Sequence, residues 1–291
     1  MFFFLAILSM IAYSFQGTLL AHHARKMDGL SLAWYRNLSL WITMLPLLFF
    51  SPLADFSLIH HHWMTLVWAT STGSLALALG LQAVKYLPVG ISTGLKSASM
   101  TIMALVLGIF FFQEHLTGLQ IGFIFLLLLA SIFLAFQKNT FTHFTPNMPK
   151  GLLLCLFSGI LTTLSFFFMS KVSRELNPFI AGYIWEFGIG LFAFIFILFR
   201  AEFSSYRLEK IPLKEFSKIL WISSATLIGT GGFAYAVTIG SFSIASSIGV
   251  GGIFVSTLLA FFVYKEKLRP LQWILLFVLL GALTGLKLSG V

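Results

Sequence analysis

The chain has 291 residues, 58% of them apolar and only 9% charged, with mean hydropathy +0.97. A soluble domain is about a quarter charged, so 18 Lys+Arg and 9 Asp+Glu cannot clothe a water-exposed surface, and an all-α polytopic membrane protein is expected. The net charge of +9 comes without a basic run or aromatic–basic interleaving, which argues against nucleic acid, and the lone Cys155 excludes a disulfide framework or a Cys-x-x-Cys motif.

Apolar runs bounded by charge, Pro or Gly give ten predicted helical spans. The first, 2–22, starts at once in Phe2–Leu8 with neither a basic leader nor a small-residue cleavage site, so it reads as a span and not a removable signal. It carries a polar stripe, Ser9-Tyr13-Gln16, and ends at His22-His23 in the headgroups. The second, 31–50, holds Trp34 and Arg36 and stops at Ser51-Pro52. His60-His61-His62 follow in a loop with Asp55; adjacent histidines on a helix diverge, so a solvated loop is expected there and not a metal site. The third span, 63–84, contains Gln82, and the fourth, 89–112, begins after Leu87-Pro88 and carries Ser92-Lys96-Ser99 on one face. The fifth, 117–136, leads into the linker Gln137–Pro149. The sixth, 150–170, has the stripe Ser158-Thr162-Ser165. The seventh, 178–199, follows Asn177-Pro178 and holds Tyr183 and Glu186. After the loop 200–218 come 217–238, with Gly229-Thr230-Gly231-Gly232 and Tyr235, then 243–264, with Gly249-Val250-Gly251-Gly252, and finally 270–288 after Arg269-Pro270. Neither glycine cluster precedes Lys-Ser/Thr or follows a strand, so close packing or gating flexibility explains them better than phosphate binding.

The linker splits the chain into two halves of five spans, 1–144 and 145–291. Glu114, Leu116, Leu119 and Gln120 recur as Glu266, Leu268, Leu271 and Gln272 at an offset of 152. Five is odd, so consecutive halves enter the bilayer in opposite senses, and inverted repeats place a binding site at their interface near the midplane. With its aromatic-rich helices closing on Glu-x-Leu-x-x-x-Gln, the chain resembles the drug/metabolite transporter superfamily, in particular the EamA-type permeases, and Arg36 after Trp34-Tyr35 matches an arginine often found in that family. The resemblance implies ten helices in two inverted five-helix repeats around a central cavity, and transport activity. The second half departs from the pattern: it lacks a counterpart of Arg36.

Charges inside hydrocarbon cost on the order of 3 kcal/mol each on insertion scales, so Arg36, Lys96 and Glu186 should face partners or a wet cavity. Glu186 lies between Gly182 and Gly190 on one helical face and is read as a proton carrier, a contact to a substrate ammonium, or half of a static ion pair with Lys96 or Arg36. Arg36 sits nearer an interface, where it can snorkel. The expected substrate-binding set is Gln16, Trp34, Arg36, Gln82, Lys96, Ser99, Tyr183, Glu186 and Tyr235. Glu114 and Glu266 are read as structural, capping the following helix or pairing with basic neighbours.

Membrane-enzyme signatures are missing: Asp28 and Asp55 fall in loops, and neither His-Glu-x-x-His nor Gly-x-Ser-x-Gly occurs. The expected activity is secondary transport of a small polar or zwitterionic, amino-acid-like metabolite by alternating access in an inner (cytoplasmic) membrane, coupled to protons through Glu186. Alternatives are export of lipophilic cations or, in another class, a channel or structural membrane protein. No cofactor or metal is expected; the partners are substrate, lipid and protons, and the chain is read as a monomer or weak dimer. Thirteen of 18 Lys+Arg fall in odd-numbered loops, which places both termini outside the cytoplasm, whereas the resemblance implies both inside.

Overall fold

A computed structural model describes residues 1–87, 89–136, 147–204, 206–264 and 268–290. The described residues form twelve α-helices: α1 (Phe2–Ala24), α2 (Gly29–Thr43), α3 (Trp63–Ala83), α4 (Val89–Phe111), α5 (Gly118–Phe136), α6 (Met148–Glu175), α7 (Pro178–Phe203), α8 (Leu213–Ser224), α9 (Thr226–Ile239), α10 (Phe242–Val250), α11 (Gly252–Tyr264) and α12 (Pro270–Leu288). Eight stretches are long and apolar enough to cross a bilayer, two of which join the pairs α8–α9 and α10–α11. α5 keeps its expected length at 19 residues, whereas α2 is shorter than the span expected for it: it has 15 residues, about 22 Å of helix. Pro46 removes a backbone donor at the end of α2, and the chain continues as a 3-10 segment, Leu45–Phe50, which adds about 12 Å. A second 3-10 segment, Leu53–His62, occupies the expected histidine loop.

The predicted spans 217–238 and 243–264 each consist of two helices instead of one. The first breaks at Ala225, so that Thr226 starts α9 deep in the bundle. The second breaks at Gly251, where glycine serves close approach: a Cβ there would stand 2.9 Å from both Leu283 Cδ1 and Met10 Sδ. The end of α4 is shaped differently. Its last turn widens, with Phe112 N–H donating to Leu107 O and Glu114 N–H to Gly108 O, and Gln113 adopts φ +53°.

Helix packing brings the halves together. α3 and α4 lie on α6, α1 on α9, α2 on α7, α5 on α12 and α10 on α4. A core of Phe166, Phe167, Trp185, Phe233 and Phe242 joins α6, α7, α9 and α10. Glu114 ties the halves too. Its carboxylate accepts from Ser241 Oγ (2.7 Å), Phe242 N and Ser243 N (3.0 Å), and Arg174 Nη2 stands 3.7 Å away. It therefore caps α10, from the other half, and not the helix that follows it. Glu266 lies outside the described residues.

At the end where α1 and α3 finish, Asp28 N-caps α2 through Leu30 N (2.9 Å) and Ser31 N (3.3 Å). Tyr206 OH (2.7 Å) and Arg200 Nη1 (3.2 Å) reach the same carboxylate from beyond the core of α7. Burial pushes the Asp28 carboxyl up, but these hydrogen bonds and the guanidinium outweigh it and hold the group below its usual range. Burial is also the main reason the Tyr206 phenol is pushed up to about 12. His23, expected in the headgroups, is buried beside Glu215 (Nε2–Oε2 3.3 Å).

Candidate functional site

A cavity of about 290 Å³ lies between the halves, near the low end of the size range for small-molecule sites. Its wall follows α1 from Ala6 to Leu20, takes Arg36 from α2, the second half of α3 from Gly73 and its C-cap Val84, and Ser92 to Met100 from α4, and is completed by α6, α7, α9, α10 and α11. It therefore extends toward the end of the bundle where α1 and α3 finish and α4 begins. Toward the other end aromatic rings fill the space: Phe166 stacks on Phe233 (4.5 Å) and packs against Trp185 (5.2 Å) and Tyr13 (6.2 Å). Phe112, Phe167 and Phe242 form the next layer.

Arg36, expected near an interface, is instead 5% exposed and forms an ion pair with Glu186. The reason is that α2 packs on α7, with small residues along the seam: a Cβ at Gly190 would stand 2.9 Å from Asn37 Cβ. Arg36 Nη1 donates to Glu186 Oε2, and Nη2 donates to Glu186 Oε1 at 3.2 Å. The same guanidinium reaches Thr226 Oγ1 (3.3 Å) and Gln16 Oε1 (3.4 Å). Glu186 also accepts from Asn37 Nδ2 (3.0 Å) and from the Thr230 hydroxyl (2.8 Å), which in turn shares a 2.7 Å hydrogen bond with Tyr13 OH. Each carboxylate oxygen thus has two donors. Such a network, with both charges paired and hydrogen-bonded, meets the condition for burying ions. It links α1, α2, α7 and α9.

Lys96 is in a different position. It lines the cavity from α4, with its ammonium against Gly80, where a Cβ would stand 3.6 Å from Nζ. Among the described residues no carboxylate pairs with it. Three more polar groups of the wall, all at most 5% exposed, have no hydrogen-bond partner among the described residues: Gln16 Nε2, Arg36 Nε and the Ser246 hydroxyl.

Of the expected set, Gln16, Arg36, Lys96 and Glu186 line this cavity. The other five stand elsewhere, in packing and positioning roles. Trp34 packs on Phe194 (4.9 Å) and Trp41 (5.6 Å). Gln82 accepts from Gly29 N–H (3.1 Å) and so ties α3 to the start of α2. Ser99 bonds Lys96 O (2.9 Å) and faces Gly159 across the α4–α6 contact. Tyr183 OH donates to Trp41 O (3.2 Å), and Tyr235 stacks on Phe179 (5.8 Å). The stripe Ser9-Tyr13-Gln16 lies wholly in the wall, while Ser158 turns away to Ala76 O (2.7 Å). Sequence reasoning missed Asn37, Thr226, Thr230 and Ser246. Thr230 sits inside a glycine cluster read as close packing or gating flexibility, and nothing in the sequence pointed to its hydroxyl as a partner of Glu186. Among the described residues no group of three or more His, Cys, Asp or Glu is placed to hold a metal ion.

The family model for "EamA-like transporter family" matches residues 1–136 and 149–287. The chain belongs to the EamA-like transporter family. It is accordingly a multi-pass membrane protein of a transporter family, not an enzyme. A solved crystal structure is similar to this EamA-like chain over 97% of its length and 96% of the other, with TM-score 0.65 and 14% identity; at that identity the likeness speaks for the fold alone. No curated protein matches the chain by sequence.

Proposed function

We propose that this EamA-like protein crosses a cytoplasmic-type membrane ten times and carries small polar, amino-acid-like metabolites through the central cavity by alternating access. The ten passes are α1, α2 with its 3-10 extension, α3 to α7, the pairs α8–α9 and α10–α11, and α12. They divide into inverted repeats of five, residues 1–144 and 145–291. Helix packing supports that division: a shift by five passes maps the α3–α6 contact onto α9–α1 and the α4–α6 contact onto α11–α1, while α2–α7 and α5–α12 are each a pass packed on its own counterpart. The two matched stretches of the family model flank the same linker.

The observation that carries the reading is a largely apolar cavity at the seam of the repeats, closed by aromatic rings at one end and carrying the charges of Arg36, Glu186 and Lys96 on its wall. Two broken passes meet it, as expected where irregular backbone borders a wet pathway. Glu186 is better suited to holding the repeats together than to carrying a proton, because all four of its short contacts come from donors.

Gly17 offers a direct test, since it lines the cavity and a Cβ added there meets nothing within 4 Å. Gly17→Phe should fill the cavity without unfolding the protein. In proteoliposomes, metabolite uptake should fall to background in this variant while thermal unfolding stays near that of the parent. Uptake that persists unchanged with the cavity filled rules out this path.

A further inference from the structure

The charges of the cavity wall do not cancel. Among the described residues its ionisable charges are Arg36, Glu186 and Lys96. The first two neutralise one another, and Lys96 leaves the wall with one net positive charge. The remaining polar atoms lean the same way: among the described residues the Gln16 amide Nε2 and the Nε of the Arg36 guanidinium are donors without acceptors, and the Ser246 hydroxyl has no partner. The wall's one carboxylate among the described residues is used up, since Glu186 already receives four hydrogen bonds. While water fills the cavity the ammonium is hydrated. Once the cavity closes on its cargo that water leaves, and an unpaired cation at membrane depth becomes costly.

We propose that Lys96 is an anion subsite and that the cargo is a small organic carboxylate carrying a net negative charge, its carboxylate on the Lys96 ammonium and its apolar body toward Phe166, Trp185 and Phe233. This rests on the transport reading of the same cavity and replaces its amino-acid-like cargo with one of net negative charge. A monoanion brings the wall to neutrality, a zwitterion leaves the positive charge in place, and a cation doubles it while finding no free carboxylate. The subsite is independent of the Arg36–Glu186 pair, which stays closed with cargo bound.

Two series of matched size separate the cases: 3-phenylpropanoate, phenylalanine and phenethylamine, and butanoate, 2-aminobutanoate and propylamine. Each is titrated at pH 7 into the purified full chain in detergent while thermal unfolding is followed, because a ligand of the folded state raises the midpoint. Sodium chloride at matched ionic strength is the control. The carboxylates should raise the midpoint most and the amines not at all. Lys96→Met should weaken the carboxylate by about tenfold or more, the loss of one charge-assisted contact, and Lys96→Arg should restore most of it. Gel filtration establishes that both variants are folded. A zwitterion or amine that stabilises as well as its carboxylate overturns the anion subsite and leaves the transport reading standing. The subsite is equally overturned by a carboxylate shift that survives Lys96→Met, by chloride acting as well as 3-phenylpropanoate, or by no shift with either carboxylate. The transport reading fails separately, when no compound is taken up by proteoliposomes.

Discussion

Two cations enter one cavity from α2 and α4 of the same half, and their surroundings are opposite. Arg36 is held by a carboxylate, a glutamine and a threonine drawn from three other helices, and it has become part of the scaffold. Lys96 has a glycine beside it and, among the described residues, no carboxylate. The difference teaches that depth in the membrane does not make a charge functional. What separates a strut from a binding group is whether the fold has already supplied the counter-charge. Side-chain type agrees with the roles: guanidinium has the planar fork that suits a fixed two-oxygen contact, whereas ammonium is a compact charge on a flexible stem.

Mutation can break this contrast. The largest effect is expected from unpairing the scaffold: Arg36→Leu or Glu186→Leu alone strands a buried charge and should cost about 3–5 kcal/mol in chemical unfolding in detergent. The double replacement should cost less than either single one, because no charge is left uncompensated; equal or additive losses would dissolve the distinction drawn here. Next in size is the Asp28 cluster, which tests how much a half-exposed ionic site contributes by comparison. Tyr206→Phe removes one hydrogen bond to the Asp28 carboxylate and one shared with Ser31, an expected loss of about 1 kcal/mol. The Asp28 carboxyl is held below its usual value in the folded state. Its contribution is therefore present above about pH 4 and lost as pH falls through the folded value, so the Tyr206→Phe deficit should shrink in unfolding measured under acid. The smallest effect on stability belongs to Lys96→Met. Removing an unpaired cation should leave the unfolding free energy within about 1 kcal/mol of the parent, even though it removes carboxylate binding. A large loss would mean that Lys96 has a structural partner after all.

Much of this architecture was legible in the primary structure because hydropathy reports directly on lipid contact. Spans such as 63–84 and 270–288 lie within a residue or two of α3 and α12. The breaks at Ala225 and Gly251 were not legible, since neither position carries a proline and the apolar composition continues through both. They depend on what packs against them: Met10 and Leu283 at Gly251, and the Arg36 network at the start of α9. The candidate site was half legible for a related reason. Arg36, Lys96 and Glu186 stand out against an oily background, but which of the two cations would take Glu186 depends on helix neighbours. The α2–α7 contact settled it, and Gly190 facing Asn37 and Trp41 is a local trace of it. Trp34, Tyr183 and Tyr235 share the amphipathic character of wall residues and are used for packing between helices, a distinction that composition does not carry.

The Glu114 carboxylate bears on how the chain is assembled. It crowns the first turn of α10, so a residue made early in synthesis waits for a helix made more than a hundred residues later. Until α10 arrives, the end of α4 holds an acid whose amide donors do not yet exist. The end of α4 therefore reaches its final set of hydrogen bonds only once the carboxy-terminal portion has been made.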